Sequence, residues 1–273
     1  MDSFVRLIDT VARSLSRYAD VNTEGSVLAA VSGGVDSTVL LLALARLRDE
    51  GRLAGGLAAA HVDHGVRPDS RQNAQHVLDL CDRLGVPMIV RQLELDKASP
   101  SEDEMRRARY DALLDAARHF GAKTLLTAHH ADDNLETVLF RMLRGTGPRG
   151  LAGIPESRWL GRGDRRVLVV RPLLRTRRTT IEGLLRRLGE EPYHDTSNDD
   201  LRYARNELRH ETIPELRKTM GIGLDVAVMT VASTARAANE IVEAQGLRVL
   251  TQKARHRTSW RLELDLRDLD SDS

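Results

Sequence analysis

Ser32-Gly33-Gly34-Val35-Asp36-Ser37 bring two glycines, two hydroxyls and a carboxylate into six residues. Glycine lets a backbone come close to a ligand. Serine hydroxyls add donors, and Asp36 can hold Mg²⁺ against phosphate oxygens. The set suits a phosphate or pyrophosphate if backbone N–H groups converge on the same spot. They do so where a strand turns tightly into a helix. The preceding run, Val27-Leu28-Ala29-Ala30-Val31, reads as a buried parallel strand, and Thr38 to Leu44 reads as a helix. Two other phosphate loops are excluded: the chain has no Gly-Lys pair for a Walker-type loop, and the dinucleotide fingerprint needs three glycines in a wider spacing. A plain tight turn is the bland alternative.

Three further clusters carry reactive side chains. His61-Val62-Asp63-His64 through Ser70 offers imidazoles and carboxylates. A zinc site would need third and fourth partners that this cluster lacks. Hydrogen bonding near a nucleotide, or a structural role in the loop, suits it better, and Asp69 and Ser70 can start the next helix. Glu102 to Tyr110 puts acids before Arg106, Arg107 and Arg109 on one predicted helix, where Glu102–Arg106 is an i,i+4 pair and a solvated face is the default. Thr127 to Thr137 holds His129, His130, Asp132, Asp133 and Glu136. Asp133 can cap the helix that begins there. One cap does not account for three carboxylates and two imidazoles. Asp132 or Asp133 together with Glu136 can face one pocket that attracts a cation, either Mg²⁺ or an ammonium.

The elements that must position these clusters alternate. Strands are predicted at 27–31, 56–62, 87–92, 123–127 and 167–171, and helices at 1–23, 37–49, 70–84, 101–119 and 133–143. This is an α/β pattern: a parallel five-stranded sheet with helices on both faces, with ligands bound beyond the carboxyl ends of the strands. Residues 144–166 read as an irregular loop region. Helices are expected again at 179–188, at 201–217 with Pro214 disturbing the end, and at 224–245. Trp260, Leu262, Leu264 and Leu266 alternate as a short strand would, and the acidic tail reads as frayed. The expected domains are a catalytic unit over 1–217 and a small, mostly helical appendage over 218–273.

Hydrophobic residues make up 41% of the 273 and aromatic ones 3%, so aliphatic side chains must build the core. No apolar run reaches membrane-spanning length, and the N-terminus lacks the pattern of a secretory signal. One cysteine, Cys81, excludes a disulfide framework and a Cys-rich metal site; its helical neighbours Val77, Leu78 and Leu84 place it in the core. A cytoplasmic protein without a membrane partner is expected. Net charge is +1, but thirteen arginines stand against three acids between Arg141 and Arg187. With only four lysines in the chain, a preference for arginine is one reading, yet it does not explain the clustering. A basic face for a polyanion does.

The SGGVDS segment resembles the pyrophosphate loop of the PP-loop ATP-pyrophosphatase superfamily. The whole set resembles one family within it, the tRNA(Ile)-lysidine synthetases. The matches run in order through HVDHGVRPDSRQNA, the E-x-x-x-R-x-x-R-Y spacing from Glu102 to Tyr110, TAHHADDNLETVLFRMLRGTGPRGL, RPLL at 171–174, and DTSNDDLRYARNELRHETIPEL at 195–216. Met105 departs from the alanine that many members carry. About 55 residues follow Leu216, fewer than in many members, so the resemblance leads us to expect the tRNA grip more on the N-terminal domain and a minimal appendage.

The resemblance implies an adenine nucleotide alpha hydrolase-like fold and a reaction among ATP, L-lysine and the wobble cytidine of a CAU-anticodon tRNA(Ile). It implies ATP contacts from Ser32, Gly33, Gly34, Val35, Asp36 and Ser37, with Mg²⁺ on Asp36. It gives Asp132, Asp133 and Glu136 to the lysine ammonium or the metal, and brings His129 near the nucleotide. Arg106, Arg109 and Arg205 are expected on cytidine or phosphate. An exposed C-terminal appendage could also pair two copies as a homodimer. Three rivals differ in their signatures. A tRNA thiolation enzyme of the superfamily relies on cysteines. An amidating ligase such as an NAD or GMP synthetase lacks the HHADDNLET and RNELRH segments. A non-enzymatic RNA-binding protein would not need an intact SGGxDS.

Overall fold

Apolar runs between glycine turns build a six-stranded sheet. Its strands are β1 (Val27–Ala30), β2 (Leu57–Asp63), β3 (Met88–Gln92), β4 (Thr124–Leu126), β5 (Ser157–Leu160) and β6 (Val167–Val170). The helices are α1 (Ser3–Ser16), α2 (Val35–Asp49), α3 (Ser70–Arg83), α4 (Glu102–His119), α5 (Ala131–Leu143), α6 (Pro148–Leu151), α7 (Arg178–Leu188), α8 (Ile213–Met220) and α9 (Gly223–Lys253). The computed structural model describes residues 3–18, 26–53, 55–63, 70–93, 101–163, 166–193, 207–257 and 262–264.

Strand order is β3-β2-β1-β4-β6-β5, parallel throughout except where β5 runs antiparallel to β6. Alternate residues of each strand point to opposite faces. Val27, Ala29 and Val31 therefore enter one apolar layer with Leu7 and Val11 of α1, Leu40 and Leu44 of α2, Val77 of α3 and Ile181 of α7. Leu28, Ala58, Leu125 and Val169 enter the other, under Leu113, Ala116 and Ala117 of α4. Helices thus cover both faces, and the five expected parallel strands are all present. Cys81 is buried within the first layer.

The sixth strand corrects the expectation of five. Ser157–Leu160 fell inside the region read as an irregular loop. Glycines at 161 and 163, with φ of +84° and +55°, turn the chain so that Leu160 pairs with Val167. The predicted helix over 201–217 is also revised. Among its described residues, Leu208–Thr212 form a π-helical turn, and α8 then starts afresh with Pro214 in its first turn. There the missing proline N–H would have had no helical partner anyway.

The chain divides into two compact units. The first holds residues 1–134 and 154–207, including the whole sheet. The second holds 135–153 and 208–273, around Leu135, Val138, Leu139, Leu208, Ile213, Leu224 and Val228. This division differs from the boundary expected at 217, because the apolar face of α5 beyond its first turn packs with α8 and α9. The second unit ends in a two-stranded antiparallel pair, β7 (Ala254–Arg257) with β8 (Leu262–Leu264), the latter within the predicted alternating stretch. Among the described residues no helix is long and apolar enough to cross a membrane.

Candidate functional site

β1 ends at Ala30, and the chain turns through Val31–Gly34 into α2. Gly33 has φ of +87°, and a Cβ there would run into Asn73 Oδ1 and Val77 of α3. Only glycine fits this close approach. The loop is tied from both sides: Gly33 O accepts from Tyr193 N–H at 2.9 Å and from Thr38 Oγ1 at 3.4 Å. Ser37 Oγ accepts from Ser32 N–H at 3.1 Å and donates to Gly34 O at 3.1 Å. Ser37 is therefore a buried brace of the loop, a role its position in the motif did not reveal. Gly34 stands at the cap position of α2, and no side chain caps the helix. The first-turn N–H groups, Val35 among them, keep their positive end for another acceptor.

Ser32 and Gly34 line a cleft of about 430 Å³ beyond the carboxyl ends of β1, β2 and β4. Arg106, Arg109 and Tyr110 of α4 line it too, as do His61 and His129. The structure thus brings the candidates Ser32, Gly34, Arg106, Arg109 and His129 to one cleft. Met105, the departure from the family pattern, is also on this wall. Asn73 and Tyr193 complete it, and neither was singled out from sequence. Burial pushes the His61 imidazole below its ordinary range, against the opposing pull of its 2.8 Å bond to Val31 O and of Asp63. A neutral His61 donates from Nδ1 to that carbonyl.

Behind the loop, His130 is almost completely buried, at 1% exposure. Asp36, Asp133 and Asp132 approach it at 3.6, 3.5 and 4.0 Å. His130 and Asp133 cap α5 reciprocally: His130 N–H donates to Asp133 Oδ2 at 2.9 Å, and Asp133 N–H donates to His130 Nδ1 at 3.3 Å. Asp132 accepts from Arg178 N–H at 2.9 Å and so caps α7, whose own cap residue, Arg177, offers no acceptor. Asp132 and Asp133 thus each have a structural bond and further acceptor capacity. Glu136 belongs to the second unit, where its buried Oε1 pairs with Arg209 Nε at 2.7 Å. Arg205 lies outside the described residues.

A third group was not legible in advance. Arg158 stacks over the Tyr110 ring at 4.5 Å, Arg106 stands 5.9 Å from it, and Arg171 Nη2 reaches the phenol oxygen at 3.5 Å. Burial alone would raise the Tyr110 phenol; Arg171, Arg158 and Arg106 outweigh it and hold it below its usual range. Arg171 is lowered by its own burial, with Tyr110 opposing.

Residues 7–216 match the PP-loop domain family. The chain belongs to that family. Among curated PP-loop relatives, a tRNA(Ile)-lysidine synthase of Pseudomonas syringae pv. tomato is 38% identical over 239 residues, 88% of this chain and 51% of that protein. One of Salinispora arenicola is 40% identical over 217 residues, 78% of this chain and 62% of that protein. The chain spans about half to three fifths of these relatives' length. Among solved structures, the U34-tRNA thiolase NcsA of Methanococcus maripaludis, with its [4Fe-4S] cluster, superimposes with a TM-score of 0.69. At 15% identity, over 87% of this chain and 80% of that one, it shares the PP-loop fold.

Proposed function

We propose that this PP-loop protein ligates L-lysine to the wobble cytidine of a CAU-anticodon tRNA(Ile), with ATP as the activating substrate. The reading is carried by one observation: the uncapped start of α2 opens beside a cleft whose far wall bears Arg106, Arg109 and His129. The names of the relatives and the run of shared motifs support the choice of substrates. The cytidine C2 oxygen is a poor leaving group. Its attack on the α-phosphorus of ATP breaks the bond to the β-phosphate and releases pyrophosphate. A neutral lysine ε-amine then attacks C2, the C2–O bond breaks and AMP leaves. The product, lysidine, reads AUA instead of AUG.

Gly33, Gly34 and Val35 supply backbone donors for the leaving pyrophosphate and Ser32 its hydroxyl, since the Ser32 N–H is held by Ser37 Oγ. Ser37 holds the loop in shape. Arg106 and Arg109 match phosphate or the cytidine edge as planar forks, and His129 stands by the nucleotide. Asp132 and Asp133 are the acids for the lysine ammonium or the metal, and Arg205 is assigned to RNA. The residues fit Mg²⁺: Asp36 offers hard oxygen donors in the first turn of α2. The ion's remaining ligands would be phosphate oxygens and water. Bound there, Mg²⁺ would neutralise charge on the departing pyrophosphate.

Thiolation is disfavoured by Cys81. Burial pushes its thiol up to about 12, out of reach of the thiolate that sulfur transfer needs. The test is incubation with ATP, labelled lysine and unmodified tRNA(Ile). Label in the RNA, dependent on ATP and on a wobble cytidine, is expected; unlabelled RNA despite ATP cleavage would overturn the proposal.

A further inference from the structure

We propose that a second cavity, between the end of α1 and the β5–β6 edge of the sheet, binds a phosphate oxyanion. It measures about 210 Å³, half the nucleotide cleft, and Arg13, Arg17, Arg171 and Arg175 line it against one acid, Glu156. Glu156 sets two guanidiniums apart: its Oε2 takes Arg17 Nη1 at 3.0 Å, and its Oε1 takes Arg175 Nη2 at 2.6 Å. A guanidinium has five N–H donors, so both keep donors for another acceptor. Arg13 bonds Thr10 Oγ1 at 3.2 Å and has no carboxylate partner among the described residues.

Arg171 separates this cavity from an ordinary solvated field of charge. It is 2% exposed, yet no described carboxylate pairs with it. Its Nη1 donates to Pro155 O at 2.8 Å, its Nη2 reaches Tyr110 at 3.5 Å, and its Nε has no hydrogen-bond acceptor. A buried cation without a counter-charge is costly. An oxyanion in the cavity supplies that charge, and paired phosphate oxygens match guanidinium forks.

The topology gives the site its use. β6 delivers Arg171 and Arg175 at its carboxyl end, and β5, running the other way, begins there beside Glu156. The nucleotide loop leaves the same rim two strands away, about 10 Å across the sheet. One polynucleotide strand can therefore rest a backbone phosphate here while its base enters the cleft. That use rests on the RNA reading above; the oxyanion site itself does not. Free orthophosphate is the other source of the same chemistry.

The experiment compares the full chain with an Arg13→Ser, Arg175→Ser double variant, whose two side chains are exposed and lie outside the nucleotide cleft. Thermal unfolding is followed against sodium phosphate, with chloride at matched ionic strength as control. Affinity for unmodified tRNA(Ile) is measured across a salt series, and ATP affinity beside it. Phosphate should stabilise the wild type and not the variant. The variant's tRNA affinity should fall about tenfold, with a salt dependence shallower by about one charge, at unchanged ATP affinity. Lost phosphate stabilisation with unchanged tRNA affinity assigns the site to free phosphate. Unchanged phosphate response and unchanged tRNA affinity overturn the site. If tRNA fails to bind the wild type while phosphate still reports through Arg13 and Arg175, the RNA reading fails and the oxyanion site stands.

Discussion

Two helices of the first unit begin in opposite ways. At α4, Ser101 Oγ accepts from Glu104 N–H at 3.3 Å, and the Glu104 carboxylate accepts from Ser101 N–H at 2.9 Å. The end is closed upon itself by a capping box. At α2 the cap residue is a glycine, and no side chain turns back to the first-turn N–H groups. Both helices border one cleft, but α4 contributes side chains from its middle, while α2 contributes its open end. A helix start kept open beside a cleft has N–H groups to offer a ligand. A closed start is a support.

The largest effect should come from Asp36, the carboxylate in the open turn. Asp36→Ala is expected to reduce ATP-dependent pyrophosphate release at least ~100-fold while leaving stability within about 1 kcal/mol. Turnover retained in a pyrophosphate-release assay would break the contrast between the two helix starts. Next, closing α2 artificially should trade function for stability. Gly34 has φ −72° and ψ 167°, open to any residue, and a Cβ there meets only Ser32 Oγ at 3.6 Å. Gly34→Asp should add about 0.5 kcal/mol through its cap, yet weaken ATP binding more than tenfold by setting a carboxylate where phosphate belongs. Calorimetry and denaturant unfolding on one sample read both numbers; a gain in both would sink the assignment.

Opening α4 should do the reverse. Ser101→Ala is expected to lower stability by about 1 kcal/mol and to leave ATP affinity within about twofold. The smallest effect concerns pH. His61 is held neutral by burial, so its folded pKa lies below the unfolded one. Stability from this group is present above the unfolded value, near 6.5, and declines as pH falls below it toward the folded value. Unfolding midpoints between about pH 7 and 5 should therefore fall less in His61→Asn than in the wild type.

Much of the contrast was readable before any fold was known. Val27–Val31 and Val167–Val170 are continuous apolar runs, which only a strand buried on both faces requires. The glycines at 33 and 34 sat between such a run and a helix, so the open turn was legible. Ser157-Arg158-Trp159-Leu160 was not: four residues with one arginine carry too little periodicity, and their pairing with β6 depends on the turn at 161–163. For the same reason β8 could be anticipated from its alternating leucines, but not its partner, Ala254-Arg255-His256-Arg257. The acids at 132 and 133 were visible as candidates. That Asp132 caps a helix beginning at Arg178 could not be read, since the two lie 46 residues apart. The Tyr110–Arg158–Arg171 group draws on three separate elements. In the sequence, two of its members were simply part of a basic stretch.

The reversed border strand has a further consequence, for behaviour in crowded solution. A parallel sheet ends in strands whose outer N–H and C=O groups invite pairing with another chain. Here one border, β5, is four residues long and has Arg158 anchored on Tyr110; the other, β3, is five residues long and carries Arg91, paired with Asp115 at 2.7 Å. Short, arginine-bearing margins resist strand-to-strand growth. The six-stranded sheet is thereby poorly suited to seed fibrils through its borders.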